Sequence, residues 1–264
     1  MDCKKINNHI IKWLIEQLKN SNQKGFVIGV SGGIDSAVVS TLCATTNYPV
    51  IVLNMPIYQV KEQFDRANEH IKYLKHKYKN VTDYTVDLTK PFKSLNNVLP
   101  NEAKSDLASV NTRSRLRMST LYSFANSNNY LVCGTGNKIE DFGIGFFTKY
   151  GDGGVDISPI ADLLKSEVYK LGKYLGISKT ILEAAPTDGL WEKDKTDEEQ
   201  IGASYDELEW AMDYCDTNGD NIEFDNITEI TNRQKDVLKI YIHRNKASKH
   251  KMQMPPVCDC SNIK

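Results

Sequence analysis

Six consecutive residues, Ser31-Gly32-Gly33-Ile34-Asp35-Ser36, place two glycines, two hydroxyls and a carboxylate between an apolar run and a helical pattern. Glycines let backbone N–H groups close on an anion, and the following helix adds its partial positive end. Ser31 and Ser36 can donate hydroxyl hydrogen bonds. The candidate phosphate-binding stretch is therefore Gly29, Ser31, Gly32, Gly33, Asp35 and Ser36. A Walker A loop would end in Gly-Lys-Ser/Thr, and a dinucleotide fingerprint needs G-x-G-x-x-G; GVSGGIDS supplies neither. Asp35 would repel a bare phosphate, so it makes sense with a cation between them, and a carboxylate beside a phosphate loop points to Mg²⁺. The plainer alternative is that Ser31 caps the helix and Asp35 complements its dipole.

Such a loop needs a strand before it and a helix after it. FVIGV (26–30), VIVLNM (50–55), TDYTVDL (82–88) and YLVCGT (130–135) read as strands. Residues 35–46, 60–79 and 101–128 have helical period and length, and Ile6, Ile10, Ile11, Leu14 and Leu18 recur at helical spacing before them. The alternation predicts an α/β fold, a doubly wound parallel sheet with helices on both faces and a helical C-terminal part. FVIGV and VIVLNM are nearly continuous apolar runs, as buried parallel strands should be. Residues 134–159 are glycine-rich and aperiodic, a long loop region of the kind that carries function. Helices are expected near 164–176, 204–215 and 228–248, and the tail 252–264 has little to fold with.

The chain of 264 residues reads as a single domain over 1–264. Its 33 Lys plus Arg against 34 Asp plus Glu give a net charge of −1, which argues for neither nucleic acid nor an anionic membrane. No stretch approaches the ~20 apolar residues of a membrane span, and the N-terminus lacks the pattern of a signal peptide. The six cysteines are scattered, with Cys43 and Cys133 inside apolar runs as reduced thiols would be. A cytoplasmic protein is expected.

The string SGGIDS resembles the pyrophosphate loop of the ATP pyrophosphatases, which split ATP between its α and β phosphates. Five further stretches resemble the NAD synthetase family in its order: NTRSRLRMSTLYSFAN (111–126), GTGNKIED (134–141), GFFTKYGDGGVD (145–156), APTDGLWEKDKTDEEQIGASYDELE (185–209) and SKHKMQMP (248–255). The resemblance covers roughly residues 5 to 255. It implies an adenine nucleotide alpha-hydrolase-like fold and the amidation of deamido-NAD by ammonia with ATP, giving NAD, AMP and pyrophosphate.

By that resemblance Asp35 and Glu140 bind metal, Mg²⁺, and Thr187 contacts the phosphate–metal cluster. Thr135 and Lys165 lie around ATP, and Lys251 closes over the phosphates. Asn111, Arg115, Tyr122, Lys149, Asp156 and His250 match positions that hold deamido-NAD across the interface of a homodimer. Asp152 matches a carboxylate near the ammonia site, which makes Asp152 and Lys165 the candidate catalytic residues. Taken alone, Arg113, Arg115 and Arg117 make a solvated basic face, Tyr122 is core, Asp152 shapes a turn, Thr187 caps a helix and Lys251 is an ordinary tail charge.

The chain departs from the family in two places. Asn54 stands where the family often has an arginine that helps hold the adenosine of ATP, leaving Gln59 or Gln63 to share that task. The stretch DFGIG after Glu140 is one residue longer than in many bacterial members. Two decoys fall away. Asp216, Asn218 and Asp220 begin like a calcium loop, but Asn221 and Ile227 stand where Gly and Glu are needed. Cys258 and Cys260 lack the nearby second pair of a structural zinc site. Only about 25 residues precede the first strand, too few for an amidase domain, so ammonia is the expected nitrogen donor. A tRNA-modifying adenylating enzyme would want a basic surface or a sulfur-transfer Cys pair. A nucleotide sensor without catalysis could keep the glycines and lose Asp35, Glu140 or Asp152, and all three are present.

Overall fold

A computed structural model of the chain describes residues 1–187, 196–219 and 229–261. Four parallel strands, β1 (Phe26–Gly29), β2 (Val50–Asn54), β3 (Val81–Thr85) and β4 (Leu131–Val132), lie in the order β3-β2-β1-β4. Phe26 pairs with Val50 on one side and with Leu131 on the other. The chain leaves β1 toward β2 and returns to β1's other side with β4. The crevice beyond the carboxyl ends of β1 and β4 is thus the switch point where such sheets bind ligands.

Strand alternation sends side chains to two cores. Phe26, Ile28, Val50 and Val52 pack with α1 (Cys3–Ser21), α2 (Ile34–Thr45), α3 (Lys61–Lys77) and α6 (Lys165–Leu175) on one face. Val27, Ile51 and Leu53 meet Phe92 of α4 (Thr89–Val98) and Ala125 of α5 (Asp106–Asn128) on the other. A fully buried side chain of this size contributes about 1.5–3 kcal/mol, and Phe26, Ile28, Leu42 and Leu53 have no exposed surface. A third core joins α9 (Tyr205–Asn218) and α10 (Asn232–Ser248) to Ile139 and Ile144.

The expected strands and helices are present with shifted ends. The helix expected over 101–128 begins later: Asn101–Ala103 form a 3₁₀ turn, and Ser105 Oγ accepts from Ala108 N at 3.2 Å to start α5 at Asp106. The third strand stops at Thr85 because Leu88 N donates to Pro56 O at 3.0 Å and the chain turns into α4. Helix α4 was not read from the sequence; its Pro91 sits in the first turn, where the missing N–H costs nothing. Two short helices, α7 (Lys179–Leu182) and α8 (Asp197–Ile201), were also not expected. The last helix starts at Asn232 behind a Thr231–Gln234 capping box; residue 228 lies outside the described residues, as do Asp220, Asn221 and Ile227 of the calcium-like stretch.

The glycine-rich region is a strap across the sheet's carboxyl end. It opens with a bridge from Cys133 to Ile157 and holds a six-residue π-helical turn, Ile139–Ile144. Cys43 and Cys133 are buried free thiols with Sγ atoms 3.7 Å apart. Among the described residues no helix is long and apolar enough to cross a membrane.

Candidate functional site

The turn after β1 is held by its own hydroxyls. Ser31 N donates to Ser36 Oγ at 3.2 Å, Gly33 N to Ser31 Oγ at 3.3 Å, and Ser36 Oγ to Gly33 O at 3.1 Å. Gly32 has φ +89°, and a Cβ there would stand 2.6 Å from Gln63 O of α3, so only glycine fits between loop and helix. Gly33, not Ser31, is the cap residue of α2, and it offers no side-chain acceptor. The first-turn amides of α2 are left to an outside anion.

This loop floors a cleft of about 270 Å³. Facing it, Lys165 at the start of α6 lies between two carboxylates: Nζ is 2.7 Å from Asp35 Oδ2 and 3.0 Å from Glu140 Oε1, with only 4 % of the lysine side chain exposed. Asn137 Nδ2 donates to Asp35 Oδ1 at 3.2 Å, and Tyr205 Oη donates to Glu140 Oε1 at 2.6 Å. Burial opposes charge on all three groups, yet the two carboxylates hold Lys165 above the ordinary lysine range. Burial wins at Asp35, whose pKa is raised although Lys165 opposes it. It loses at Glu140, which Lys165, Tyr205 and Asn137 together hold below the usual carboxylate range.

The strap supplies the opposite wall. Asp152 Oδ1 accepts from Ser114 Oγ of α5 at 2.6 Å and from Thr148 N at 3.0 Å, while Asp152 N donates to Ser114 Oγ at 2.8 Å. Desolvation of its carboxyl outweighs these bonds and raises its pKa. Asp141, beside the cleft, is pushed up to about 8 by burial first and then by Glu140, Asp152 and Asp35.

Of the residues singled out in the sequence, Gly29, Ser31, Gly32, Gly33, Asp35, Ser36, Thr135, Glu140, Asp152, Lys165 and Thr187 line this cleft. Lys251 does not. Its Nζ donates to Gly145 O and, at 2.8 Å, to Phe147 O, and it borders a second cavity of about 150 Å³ behind the strap. The remaining set gathers on the α5–strap face. Tyr122 Oη donates to Asp156 Oδ1 at 2.9 Å, Arg115 Nε approaches Lys149 O at 3.4 Å, and Lys149 Nζ donates to His250 O at 2.6 Å. Asn111 Oδ1 accepts from Thr148 Oγ1 at 2.7 Å.

The solvated basic face read into α5 is corrected. Arg113 is 7 % exposed, with its guanidinium over the rings of Phe92 and Tyr58 at 5.1 and 5.7 Å. Arg117 donates to Met55 O at 3.0 Å and to Gln59 Oε1 at 3.1 Å; only Arg115 is exposed. Asn54 is buried and turned to Asn68 Oδ1 at 3.0 Å, and Gln59 Nε2 donates to Gln63 Oε1 at 2.8 Å. Sequence reasoning missed Ser114, Asn137, Asp141 and Tyr205. All four sit inside family-like stretches, Ser114 in 111–126, Asn137 and Asp141 in 134–141 and Tyr205 in 185–209, and that was the signal available.

The comparisons agree with this geometry. The family model described as NAD synthase matches residues 6–255. An NH(3)-dependent NAD(+) synthetase of Carboxydothermus hydrogenoformans is 41% identical over 206 residues, 76% of this chain and 81% of that protein. Among solved structures, an NMN synthetase from Francisella tularensis superposes with a TM-score of 0.84 at 32% identity, covering 98% of this chain and 99% of that one. The NH3-dependent NAD synthetase from Campylobacter jejuni gives 0.77 at 27% identity, over 98% and 100%. The sheet, its switch-point cleft and this match over nearly the whole chain have one reading: the chain belongs to the NAD synthase family, with the adenine nucleotide alpha-hydrolase-like fold.

Proposed function

We propose that this cleft makes NAD from deamido-NAD, ATP and ammonia, releasing AMP and pyrophosphate, as an ammonia-dependent NAD synthetase. The observation that carries the reading is the pairing of Asp35 and Glu140 around one cationic position beside an uncapped helix N-terminus. Two hard oxygen donors converging on one cation suit Mg²⁺, and the Lys165 ammonium marks the position they share. Mg²⁺ bound there would neutralise phosphate charge. Asp35 and Glu140 would be its protein ligands.

The chain's own groups divide the two steps. A nicotinate carboxylate is a poor acyl donor, so its oxygen first attacks the α-phosphorus of ATP. The bond to the bridging oxygen breaks with its electron pair left on pyrophosphate. Loop amides and the hydroxyls of Ser31 and Ser36 hold that leaving group, and Thr135, Lys165 and Thr187 surround the nucleotide. In the second step ammonium docks at Asp152, whose carboxylate takes a proton. The resulting NH₃ adds to the acyl carbon, AMP departs with the electrons of the C–O bond, and the nitrogen gives up its surplus proton to solvent. Asn111, Arg115, Tyr122, Lys149, Asp156 and His250 form the deamido-NAD surface on the α5–strap face, shared across a two-fold axis in a homodimer. The 23 residues of α5 span about 34 Å, enough to cross such an axis. Sedimentation at assay concentration should show a dimer; a fully active monomer would refute this.

A second reading has one observation behind it, the match to the Francisella NMN synthetase. It makes the acyl donor the nicotinate mononucleotide. One experiment tests both: incubate the protein with ATP, Mg²⁺ and ammonium and with deamido-NAD or nicotinate mononucleotide, and measure AMP and amide product. The expected result is NAD and AMP in equal amounts, with kcat/KM higher for the dinucleotide. Glutamine should not replace ammonium.

A further inference from the structure

The cradle at SGGIDS has no lysine of its own, and the cleft that must take a polyanion is lined by Asp35, Glu140, Asp141, Asp152 and Asp197. Of the cations on its wall, Lys165 is committed to two carboxylates and Arg117 to Met55 O and Gln59. Arg66 of α3 is differently placed. Its Nε donates to Gly32 O at 3.3 Å, and no acceptor for its two Nη groups is found among the described residues. Helix α3 presses directly on the loop: a Cβ at Gly32 would stand 3.1 Å from Ala67 N and 3.4 Å from Arg66 Cβ. The guanidinium is thus tied by one edge to the phosphate loop, half-buried on the cleft wall, with its fork unspent.

We propose that Arg66 binds the β and γ phosphates of ATP and the departing pyrophosphate, replacing from α3 the cation that other phosphate loops carry within themselves. This rests on the reading of the cleft as an ATP site. A planar guanidinium grips a phosphate through two parallel N–H···O bonds, and its charge is fixed at every pH of interest. As the bond from the α-phosphorus to the bridging oxygen breaks, negative charge grows on the pyrophosphate, beside a cation already positioned by Gly32 O.

The test uses the full chain, wild type and with Arg66→Ala, Arg66→Gln and Arg66→Lys. Binding of magnesium pyrophosphate and of AMP is measured by calorimetry, along with KM for ATP and for deamido-NAD and the melting temperature. Loss of one charge-assisted phosphate contact should weaken pyrophosphate binding and raise KM for ATP about 10- to 100-fold. AMP binding, KM for deamido-NAD and melting temperature should stay as in the wild type, and Arg66→Lys should recover part of the loss. Wild-type pyrophosphate binding in the Ala variant overturns the proposal. So does wild-type binding in the Gln variant, which keeps a donor without the charge, and so does equal weakening of AMP and pyrophosphate. Absence of AMP formation by the wild type would instead overturn the functional reading, which the variants' pyrophosphate binding does not address.

Discussion

The two walls of the cleft are built in different ways. One is the turn from β1 into α2, which residues within six positions of one another brace through the hydroxyls of Ser31 and Ser36. The other is assembled: Ser114 reaches Asp152 across 38 positions, and Lys165 reaches Asp35 across 130. A contiguous wall inherits its geometry from local backbone preferences. An assembled wall exists only when helices α5 and α6 and the strap have packed, so its chemistry depends on the whole fold. Substitutions should therefore separate the walls: the local one fails in adenylation, whereas on the assembled wall the loss falls on amidation at Asp152 and on stability at Lys165.

The largest effect is expected on the assembled wall. Asp152→Asn keeps an acceptor for Ser114 and Thr148 but removes the proton acceptor, so amidation should slow about 10²- to 10⁴-fold. Adenylation in a single turnover should persist, leaving the acyl–AMP intermediate to accumulate in rapid-quench experiments with labelled ATP. Equal loss of both steps in a stable protein would reduce Asp152 to a turn residue.

Lys165→Met ranks next. It leaves Asp35 and Glu140 facing one another without the shared ammonium, and breaking a buried pair from one side costs about 3–5 kcal/mol. Urea unfolding at neutral pH reads that loss. Mg²⁺ should raise the melting temperature of this variant more than that of the wild type, since the position between the carboxylates is then open to it. On the local wall, Asp35→Asn should leave the loop's shape and deamido-NAD binding intact while adenylation falls about 10²- to 10³-fold. Near-normal turnover would make Asp35 a dipole partner of α2 and nothing more.

Legibility in the sequence follows the same division. SGGIDS could be read because strand, turn and helix are consecutive, and β1 and β2 could be read because both faces of a parallel strand are buried. Asp35, Glu140 and Lys165 could each be picked out, but not the fact that the lysine lies between the carboxylates, which packing of α6 against α2 decides. Tyr205 and Ser114 lie in family-like stretches, but a tyrosine at a helix start and a serine in a helix interior are ordinary, and only packing shows that they reach Glu140 and Asp152. Arg113 misled for the same reason: its alternation with Arg115 and Arg117 describes a surface, and only α4 brings Phe92 beneath its guanidinium. The stretch DFGIG after Glu140 could be marked as unusual, but not the π-helical turn at Ile139–Ile144 that it enters.

The smallest expected effect falls behind the local wall, in the helix that supports it. His70 of α3 is 3 % exposed, and its Nε2 lies 3.0 Å from Ser40 Oγ of α2. Ser40 donates its one hydrogen to Ser36 O at 2.7 Å, so Nε2 carries the ring proton and donates to Ser40. Burial lowers the pKa from 6.5 to about 4, against a backbone hydrogen bond with Ala37 that raises it. Because the folded pKa lies below the unfolded one, the folded state binds fewer protons between these values. Stability is then fully present above about pH 6.5 and is lost as pH falls toward 4, by at most about 3 kcal/mol. His70→Gln should flatten that slope in urea unfolding measured from pH 7 to pH 4.5. Hydrogen exchange at pH 5 should show the wild type's loss in α2 and α3, with α9 and α10 protected as at pH 7. A slope unchanged by the substitution would assign the acid sensitivity to a carboxylate held below its ordinary range, such as Glu140, instead.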